Sequence, residues 1–451
     1  MNNDTYHPWL PNLRRENEIL KKIGINDVEE LLRVIPDNLR VKGMLGIWPE
    51  EPMKPWEIEL DFHEKIKRNL DLPLNRIFAG GPVCPHYVHP VVQYLLSRGE
   101  FLTAYTPYQP EINQGVLQAL YEYQSLMAEL LGVEIVNAGM YDGATSLAEA
   151  LLMAIRVTGR KEVLLPSTLF KQYDRVVRTY LFGPGATIHY YGVDNKGQPN
   201  IDEINNVLLS REVAAVVVEN PSGHGVINQR MKEIQEEASR KGALSIALVE
   251  PLLMGIFNPP GDYGYDVVVA EGQSLGLPMN GGGPLLGIFG IRYEQRLLRQ
   301  LPGRLIGATL DVDGKRGFMM ILQTREQHIR REKATSNITT NTALNAIGAA
   351  IHVSLLGEKG LRWIASHILE LSNYAANKLK ENNFALLYND ALFFKNISYR
   401  LPGRIPLEKI VTERKVLPYS LLDEGTCLSC FTEVHSQRDV EYLIETLKMV
   451  I

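Results

Sequence analysis

The stretch that decides the fold is residues 266–291, which read DVVVAEGQSLGLPMNGGGPLLGIFGI. Two apolar runs, each with the character of a strand, flank a loop that contains three consecutive glycines, Gly281 to Gly283. A glycine loop between two strands lets the backbone approach another group closely. The loop carries neither lysine nor histidine, and no lysine occurs between Lys241 and Lys315. It therefore offers backbone contacts but no amine or imidazole.

Outward from this stretch, short apolar runs alternate with helical patterns. The predicted strands are 133–137, 163–166, 186–191, 214–219, 245–250, 266–271 and 287–291. The predicted helices are 116–131, 145–157, 170–181, 201–209 and 229–241. This alternation is typical of a mostly parallel sheet covered by helices on both faces, with ligands bound beyond the carboxyl ends of the strands.

Two other patterns flank this region and divide the chain into three predicted parts. Residues 1–75 combine short helices (16–23 and 28–34) with an arm broken by prolines, which predicts a helical and extended segment without a core of its own. Residues 76–355 form the predicted large α/β domain, which ends with a polar helical stretch near 325–333 and a helix at 343–355. Residues 356–451 predict a small α+β domain, with strands near 384–388, 393–397 and 428–432 and a final helix at 437–449.

Composition and charge exclude several function classes. The chain has 47 basic and 52 acidic residues and a net charge of −5, which argues against nucleic acid or an anionic membrane as the main partner. Its apolar runs fall short of the roughly 18 residues of a membrane span, and its first residues lack the pattern of a signal peptide. Three cysteines in a long chain suit a reducing compartment. A cytoplasmic location is therefore predicted.

The turn at residues 137–146, NAGMYDGATS, ends a predicted strand and opens a helix. Free N–H groups at a helix start favour a phosphate. Asp142 places a carboxylate at this point, and we interpret it as the N-cap of the helix. The turn therefore predicts a degenerate cofactor-binding site that is unsuited to phosphate. Its residues are Asp142, Gly143, Ala144 and Thr145.

The loop at residues 105–115, YTPYQPEINQG, is rich in tyrosine and amide groups and precedes a long amphipathic helix. Its candidate binding residues are Tyr105, Thr106, Tyr108, Gln109 and Glu111. Tyrosine rings stack on flat ligands, although a tyrosine loop serves packing more often than ligand binding.

Potential metal ligands are few. Cys427 and Cys430 have the C-x-x-C spacing but lie in an apolar strand pattern without a second pair, and His86 and His224 lie singly in loops. No metal site is predicted from them.

Large α/β enzymes that use pyridoxal phosphate carry their Schiff-base lysine in a loop like that of residues 271–284. They also hold an aspartate at the strand end where Glu250 stands here. The Schiff base needs an amine, which this loop lacks. The predicted fold is that of a PLP-dependent transferase (aspartate aminotransferase-like, fold type I) without the chemistry of the cofactor.

Four motifs together resemble the glycine cleavage system P-protein family. They are the loop 105–115, the segment 137–149, the lysine-free glycine loop, and residues 331–338, REKATSNI. The similarity runs from about Pro11 to the C-terminus and is to the non-catalytic half, which many prokaryotes make as a separate subunit 1, or alpha. Three positions, Cys84, His224 and Glu250, depart from the usual pattern and leave room for a drifted paralogue.

The resemblance implies an oxidoreductase of glycine catabolism, glycine dehydrogenase (aminomethyl-transferring). In that family pyridoxal phosphate binds glycine, CO2 leaves, and the aminomethyl group passes to the lipoamide arm of H-protein. The lysine and the cofactor belong to the beta subunit, with which alpha pairs, typically as a heterotetramer. Alpha supplies part of the wall of the beta site, so Tyr105, Thr106, Tyr108, Gln109 and Glu111 are expected to face the partner.

Two alternatives stay open at this point. One is a self-sufficient PLP enzyme with its lysine replaced by histidine, against which the absence of histidine from the loop counts. The other is a PLP-fold pseudo-enzyme that acts as a scaffold or regulatory partner, against which the intact loop 105–115 counts. A neighbouring gene for a chain with lysine in the equivalent loop would favour the alpha-subunit hypothesis.

Overall fold

The computed structural model describes residues 12, 15–41, 53–69, 71–102, 106–336, 338, 342–401, 403, 407–423 and 425–449. Tyr105 and residues 42–52 of the predicted arm lie outside the described residues. The chain divides into two compact units, residues 1–71 and residues 72–451. The predicted domain boundaries at 75/76 and 355/356 stay predictions.

The first unit consists of short helices. Helix α1 (Glu16–Ile23) ends at Gly24, whose φ of 79° is left-handed and favours glycine at this C-cap position. A 3₁₀ helix follows at Val28–Val34, and α2 spans Pro55–Ile66. Among the residues described in this unit, Leu20 alone is buried. This agrees with the expectation that the segment holds no core of its own.

The second unit is built on a seven-stranded sheet. Its strands are β1 (Ile135–Val136), β2 (Glu162–Pro166), β3 (Thr187–Tyr191), β4 (Val213–Asn220), β5 (Leu244–Val249), β6 (Val267–Glu271) and β7 (Gly287–Ile291). Their spatial order is β1-β7-β6-β5-β4-β2-β3. Strands β2 to β6 are parallel, whereas β7 and β1 run antiparallel to their neighbours. All seven strands predicted from the sequence are therefore confirmed, and the sheet is mostly parallel.

Helices cover both faces of this sheet. Those before the C-terminal part are α3 (Pro90–Leu96), α4 (Gly99–Leu102), α5 (Gln114–Leu131), α6 (Gly143–Thr158), α7 (Lys171–Phe182), α8 (Ile201–Ser210), α9 (Met231–Arg240), α10 (Gln295–Gln300) and α11 (Gln327–Arg330). One apolar core lies between the sheet and α5, α8 and α9, and a second lies between the other face and α6 and α7. Every residue of β4 and β5 is buried, which explains their uninterrupted apolar sequence.

A β-hairpin follows α10 and was not predicted. It pairs β8 (Leu305–Leu310) with β9 (Arg316–Ile321) in antiparallel register. The turn is held by Asp311, whose carboxylate accepts hydrogen bonds from the backbone N–H groups of Asp313 and Lys315. The helical stretch predicted near 325–333 is only partly correct, because it is broken into α11 and short 3₁₀ turns.

The C-terminal part begins with α12 (Ala343–Glu381), which is interrupted at Gly357. A four-stranded antiparallel sheet follows, formed by β10 (Ala385–Leu386), β11 (Asn396–Arg400), β12 (Ser420–Asp423) and β13 (Thr426–Cys430) in the order β10-β11-β13-β12. Helices α13 (Leu407–Arg414) and α14 (Gln437–Lys448) complete it. The α+β pattern is confirmed, but β12 was missed, and the strand predicted at 393–397 begins three residues later.

Candidate functional site

Three buried glutamates mark the carboxyl ends of adjacent parallel strands. Glu219 is the second-last residue of β4, Glu250 directly follows β5, and Glu271 ends β6. Ligands of open α/β sheets bind beyond this edge. We call the cavity that these three residues line, together with Lys395, the cup.

Lys395 forms a buried ion pair with Glu250 inside the cup. Lys395 lies at a left-handed φ of 66° just before β11, and its Nζ also donates to the carbonyl of Pro82 at 3.3 Å. Ser274 Oγ donates to Glu250 Oε1 at 2.5 Å. Burial by itself would raise the pKa of Glu250, but Lys395, His86 and Ser274 together outweigh it and lower that pKa. Burial also opposes the charge on Lys395, but Glu250 together with Cys84 and Cys430 outweighs it and raises the lysine pKa, so Lys395 stays an ammonium.

The carboxyl group of Glu271 lies at the N-terminus of α6. Its Oε2 accepts a hydrogen bond from Gly143 N at 2.9 Å, and its Oε1 accepts one from Gln273 N at 3.1 Å. Burial raises the pKa of Glu271 to about 8. Asp142 caps the same helix by accepting from Thr145 N at 2.6 Å, as interpreted from the sequence. The helix start that would hold a phosphate is therefore engaged by two carboxyl groups of the chain itself.

The third strand-end carboxyl group is also held within the protein. Thr168 Oγ1 donates to Glu219 Oε2 at 2.6 Å. Burial raises the pKa of Glu219 to about 7, against the opposing effect of this hydrogen bond.

A second buried pair joins residues 79–87 to the segment that follows β13. His86 Nδ1 lies 2.9 Å from Glu433 Oε2, and Tyr87 N donates to Glu433 Oε1 at 2.7 Å. Burial opposes the charge on Glu433, yet His86 and the backbone N–H of Tyr87 together outweigh it and lower the carboxyl pKa to about 2. Cys84 lies nearby, with its N–H donated to Gln273 Oε1.

Pyridoxal phosphate, the group implied by the predicted fold, does not fit the cup. The remaining space is about 50 Å³, whereas pockets for small-molecule ligands measure roughly 300–1,000 Å³. The loop 271–284 has no amine, and the Lys395 amine is protonated and paired. No cofactor chemistry is therefore assigned to this cup.

The triple glycine does not make the close approach expected of it. No heavy atom lies within 4 Å of a Cβ built on Gly281 or Gly282, and both residues are exposed. The close approach occurs earlier in the loop, at Gly276, where a Cβ would lie 2.4 Å from His352 of α12. Gly276 also has a φ of 86°, so glycine is required there for conformation as well as for space.

The candidate loop at residues 106–111 lies beside the hairpin and not in the cup. Tyr108 is half exposed, and its hydroxyl accepts a hydrogen bond from Arg304 Nη2 at 2.9 Å. His328 approaches the Tyr108 ring edge-on at 5.5 Å, and Glu326 pairs with Arg304. The carbonyl of Thr106 accepts from Tyr108 N, and that of Gln109 accepts from Asn113 Nδ2.

The side chains of Gln109 and Glu111 lie on the exposed surface of this loop. In the described part of the chain, Tyr108 makes its side-chain contacts with Arg304 and His328. Sequence reasoning missed this cluster because Arg304 and His328 are distant in sequence and carry no motif of their own.

The remaining sequence candidates have structural partners. Cys427 and Cys430 are free and buried in β13, and Cys430 Sγ donates to the carbonyl of Ala79. His224 Nδ1 lies 3.0 Å from the Tyr388 hydroxyl. Over the described residues, no three His, Cys, Asp or Glu side chains come together as a metal site requires, and no helix is long and apolar enough to span a membrane.

Comparison with known proteins gives a consistent result. The chain matches the family described as "Glycine cleavage system P-protein" over residues 9–447. A relative from Saccharolobus islandicus, named "Probable glycine dehydrogenase (decarboxylating) subunit 1", is 44% identical over 449 residues, which are 99% of this chain and 98% of that protein.

Two solved structures extend the comparison. A crystal structure of glycine decarboxylase (P-protein) of the glycine cleavage system, in inhibitor-bound form, superposes with a TM-score of 0.87 at 40% identity and covers 99% of this chain and 100% of that one. An alanine–glyoxylate aminotransferase from Nostoc sp. has a TM-score of 0.58 at 14% identity, covers 85% of this chain and 97% of that one, and shares the fold alone. The fold is thus that of the type I PLP-dependent transferases, and the chain belongs to the glycine cleavage system P-protein family.

Proposed function

We propose that this chain is the alpha subunit of a glycine decarboxylase and works with a lysine-bearing beta subunit. The observation that carries the proposal is its similarity, along nearly the full length of both chains, to a protein named subunit 1. The small volume of the cup supports this proposal, because a chain whose own cup has no room for the cofactor needs a second chain that binds the cofactor. Pyridoxal phosphate on the partner provides the electron sink for the loss of CO2 from glycine. The aminomethyl group then passes to lipoylated H-protein.

The role of this chain is to complete the partner's site. Tyr105, Thr106, Tyr108, Gln109 and Glu111 belong to the surface proposed to face that site. The Tyr108 hydroxyl oxygen accepts from Arg304, so its O–H group is available to donate to a further acceptor. A carboxylate or phosphate oxygen of the bound reactants is such an acceptor. A heterotetramer in the cytoplasm is the proposed working form.

The test is complementation with purified proteins. This chain, the beta subunit and lipoylated H-protein are assayed separately and together by the exchange of labelled CO2 with the glycine carboxyl group. We expect exchange only when both P-protein chains are present. Equal exchange by the beta subunit alone would contradict the proposal.

The Tyr108→Phe variant tests the loop in the assembled complex. Loss of one hydrogen bond of about 1–3 kcal/mol should slow exchange roughly ten- to hundredfold. Tyr293→Phe is the matched control, because Tyr293 is also an exposed tyrosine. Unchanged exchange in Tyr108→Phe, with assembly intact, would remove Tyr108 from the site. It would also favour the alternative of a scaffold that binds the partner without completing its site.

A further inference from the structure

A groove outside the cup lies between α6, α7 and residues 327–336. Its volume is about 960 Å³, and it shares no lining residue with the cup. Its wall contains Glu149 from α6, Phe182 from α7, and Arg331, Thr335 and Ser336 from the family motif. This volume is at the upper end of the range for ligand pockets, roughly 300–1,000 Å³.

Glu149 is a buried carboxyl group without a partner. Its exposed fraction is 1%, and its Oε2 has no hydrogen-bond partner. Over the described residues, no Lys, Arg or His nitrogen lies within 4.0 Å of its carboxyl group. Arg156, two turns further along α6, donates instead to Gln300. Burial raises the pKa of Glu149 to about 7, against the opposing effect of the more distant Arg156 charge. Buried carboxylates are almost always paired, so the ionised form of Glu149 lacks a close cation, which the groove has room to admit.

The groove has the features of a protein contact more than those of a small-molecule site. Phe182 at its edge is 87% exposed. A small amine on Glu149 would leave that ring and most of the groove in water, whereas a protein surface covers both. Aromatic side chains and desolvated charges at the centre of a contact commonly provide most of its binding energy.

We propose that the groove receives a lysine or arginine side chain of the partner subunit, which pairs with Glu149 when the two chains assemble. This inference rests on the proposed function, because the occupant belongs to the beta subunit. It assigns the groove a role in assembly that is separate from the loop at Tyr108. Arg331 lies on the same wall but beyond ion-pair distance of Glu149, and its neighbour Glu332 offsets its charge.

The experiment measures the dissociation constant between purified beta subunit and this chain, as the wild type and as the variants Glu149→Gln, Glu332→Gln and Arg331→Gln. Glu149→Gln keeps the size of the side chain and removes its charge, and we expect ten- to hundredfold weaker binding. The same variant, measured alone, should melt at the same temperature as the wild type or higher, because an unpaired buried carboxylate has been removed. Glu332→Gln, an exposed carboxylate on the same groove, is the control and should change neither quantity.

The other outcomes are also decisive. If the wild-type chains bind and Glu149→Gln binds equally well, the proposal fails while the proposed function stands. If Arg331→Gln weakens binding as much as Glu149→Gln and the effects are not additive, the cation is this chain's own and the proposal fails. If methylammonium or glycine raises the melting temperature of the isolated wild type but not of Glu149→Gln, a small amine is the occupant and the proposal fails. Absence of any binding by the wild type overturns the proposed function itself.

Discussion

At the scale of single residues, the ion pair between Lys395 and Glu250 joins positions 145 apart in sequence. Removing one partner of a buried pair leaves an uncompensated charge and typically costs 3–5 kcal/mol. We therefore expect Lys395→Met to lower the free energy of unfolding of the isolated chain by roughly this amount, as measured by urea denaturation.

The matched double variant separates the charge effect from lost packing. Lys395→Met combined with Glu250→Gln removes both charges of this pair, and the glutamine side chain can still accept a hydrogen bond from Ser274. It should recover most of the loss. A loss below about 1 kcal/mol in the single variant would show that water reaches the pair and that the cup is open.

The Glu433 and His86 pair predicts a dependence on pH. The folded-state pKa of Glu433 is about 2, below its ordinary value of 4.5. Its contribution is therefore full above pH 4.5 and is lost as the pH falls through 2. Glu433→Gln should lower the free energy of unfolding at pH 7 by about 3 kcal/mol, from roughly 1.4 kcal/mol per pKa unit. The difference from wild type should shrink between pH 4.5 and 3.

Glu445→Gln removes an exposed carboxylate of α14 and serves as the control. It should leave the pH dependence of unfolding unchanged. A Glu433→Gln deficit of the same size at pH 7 and pH 3 would mean that packing, and not charge, explains it.

Residue-level prediction succeeded where a local rule applied and failed where the partner is distant. Asp142 was identified as a cap because capping depends on the next three residues alone. Lys395 was missed because the search for an amine was confined to the loop 271–284. A signal did exist: Lys395 interrupts the apolar run Leu392-Phe393-Phe394, and a buried lysine requires a buried acid. Only the tertiary structure identifies that acid as Glu250.

At the scale of elements, α12 consists of two helical stretches that meet at a kink at Gly357. At Gly357 the backbone has φ 59° and ψ −175°, a region that is populated almost only by glycine. No heavy atom lies within 4 Å of a Cβ built there, so a side chain would be strained without being crowded. Gly357→Ala should destabilise the chain by about 1–3 kcal/mol in urea denaturation.

Gly115→Ala is the control for this prediction. Gly115 lies in the first turn of α5, has an ordinary φ and also has open space around it. Alanine there should be neutral or stabilising by up to about 1 kcal/mol. Equal effects of the two substitutions would indicate that α12 straightens when Gly357 is replaced.

Elements were predictable to the extent that their pattern was periodic. The seven strands of the large sheet were found because most of them are apolar along most of their length and several are separated by helices. The hairpin of β8 and β9 was missed, although Asp313-Gly314 between two alternating runs is a hairpin signal. It was overlooked because the chain beyond Gly314 was interpreted as a polar segment that leads into the helical stretch near 325–333. The break at Gly357 depends on a single backbone angle, which periodicity does not report.

At the scale of the whole molecule, the isolated chain presents exposed apolar side chains in the loop 105–115 and at the tip of the hairpin. Ile112 is 77% exposed, and Val312 at the tip of the hairpin is fully exposed. Surfaces of this kind mark interaction sites. A partner that binds only the folded chain stabilises it by mass action.

We therefore expect the melting temperature of this chain to rise when the beta subunit is added, and to rise further with its concentration. Serum albumin at the same concentration is the control for non-specific stabilisation. An identical melting temperature with and without the beta subunit would contradict an obligate pairing. The overall fold was predictable from the sequence. The surface that faces a partner was not, because the folded structure alone shows which apolar side chains stay exposed.

The buried ammonium of Lys395 also has a consequence for covalent labelling. Acylating reagents react with the unprotonated amine. At pH 8, a lysine with a pKa above 10.5 is unprotonated in fewer than about 1 in 200 protein molecules. Lys395 is in addition shielded from the reagent, whereas the surface lysines are not. In a time course with acetic anhydride read by peptide mass spectrometry, Lys395 should be acetylated far later than the exposed Lys448. Its acetylation should track global unfolding, so that one residue reports opening of the molecule.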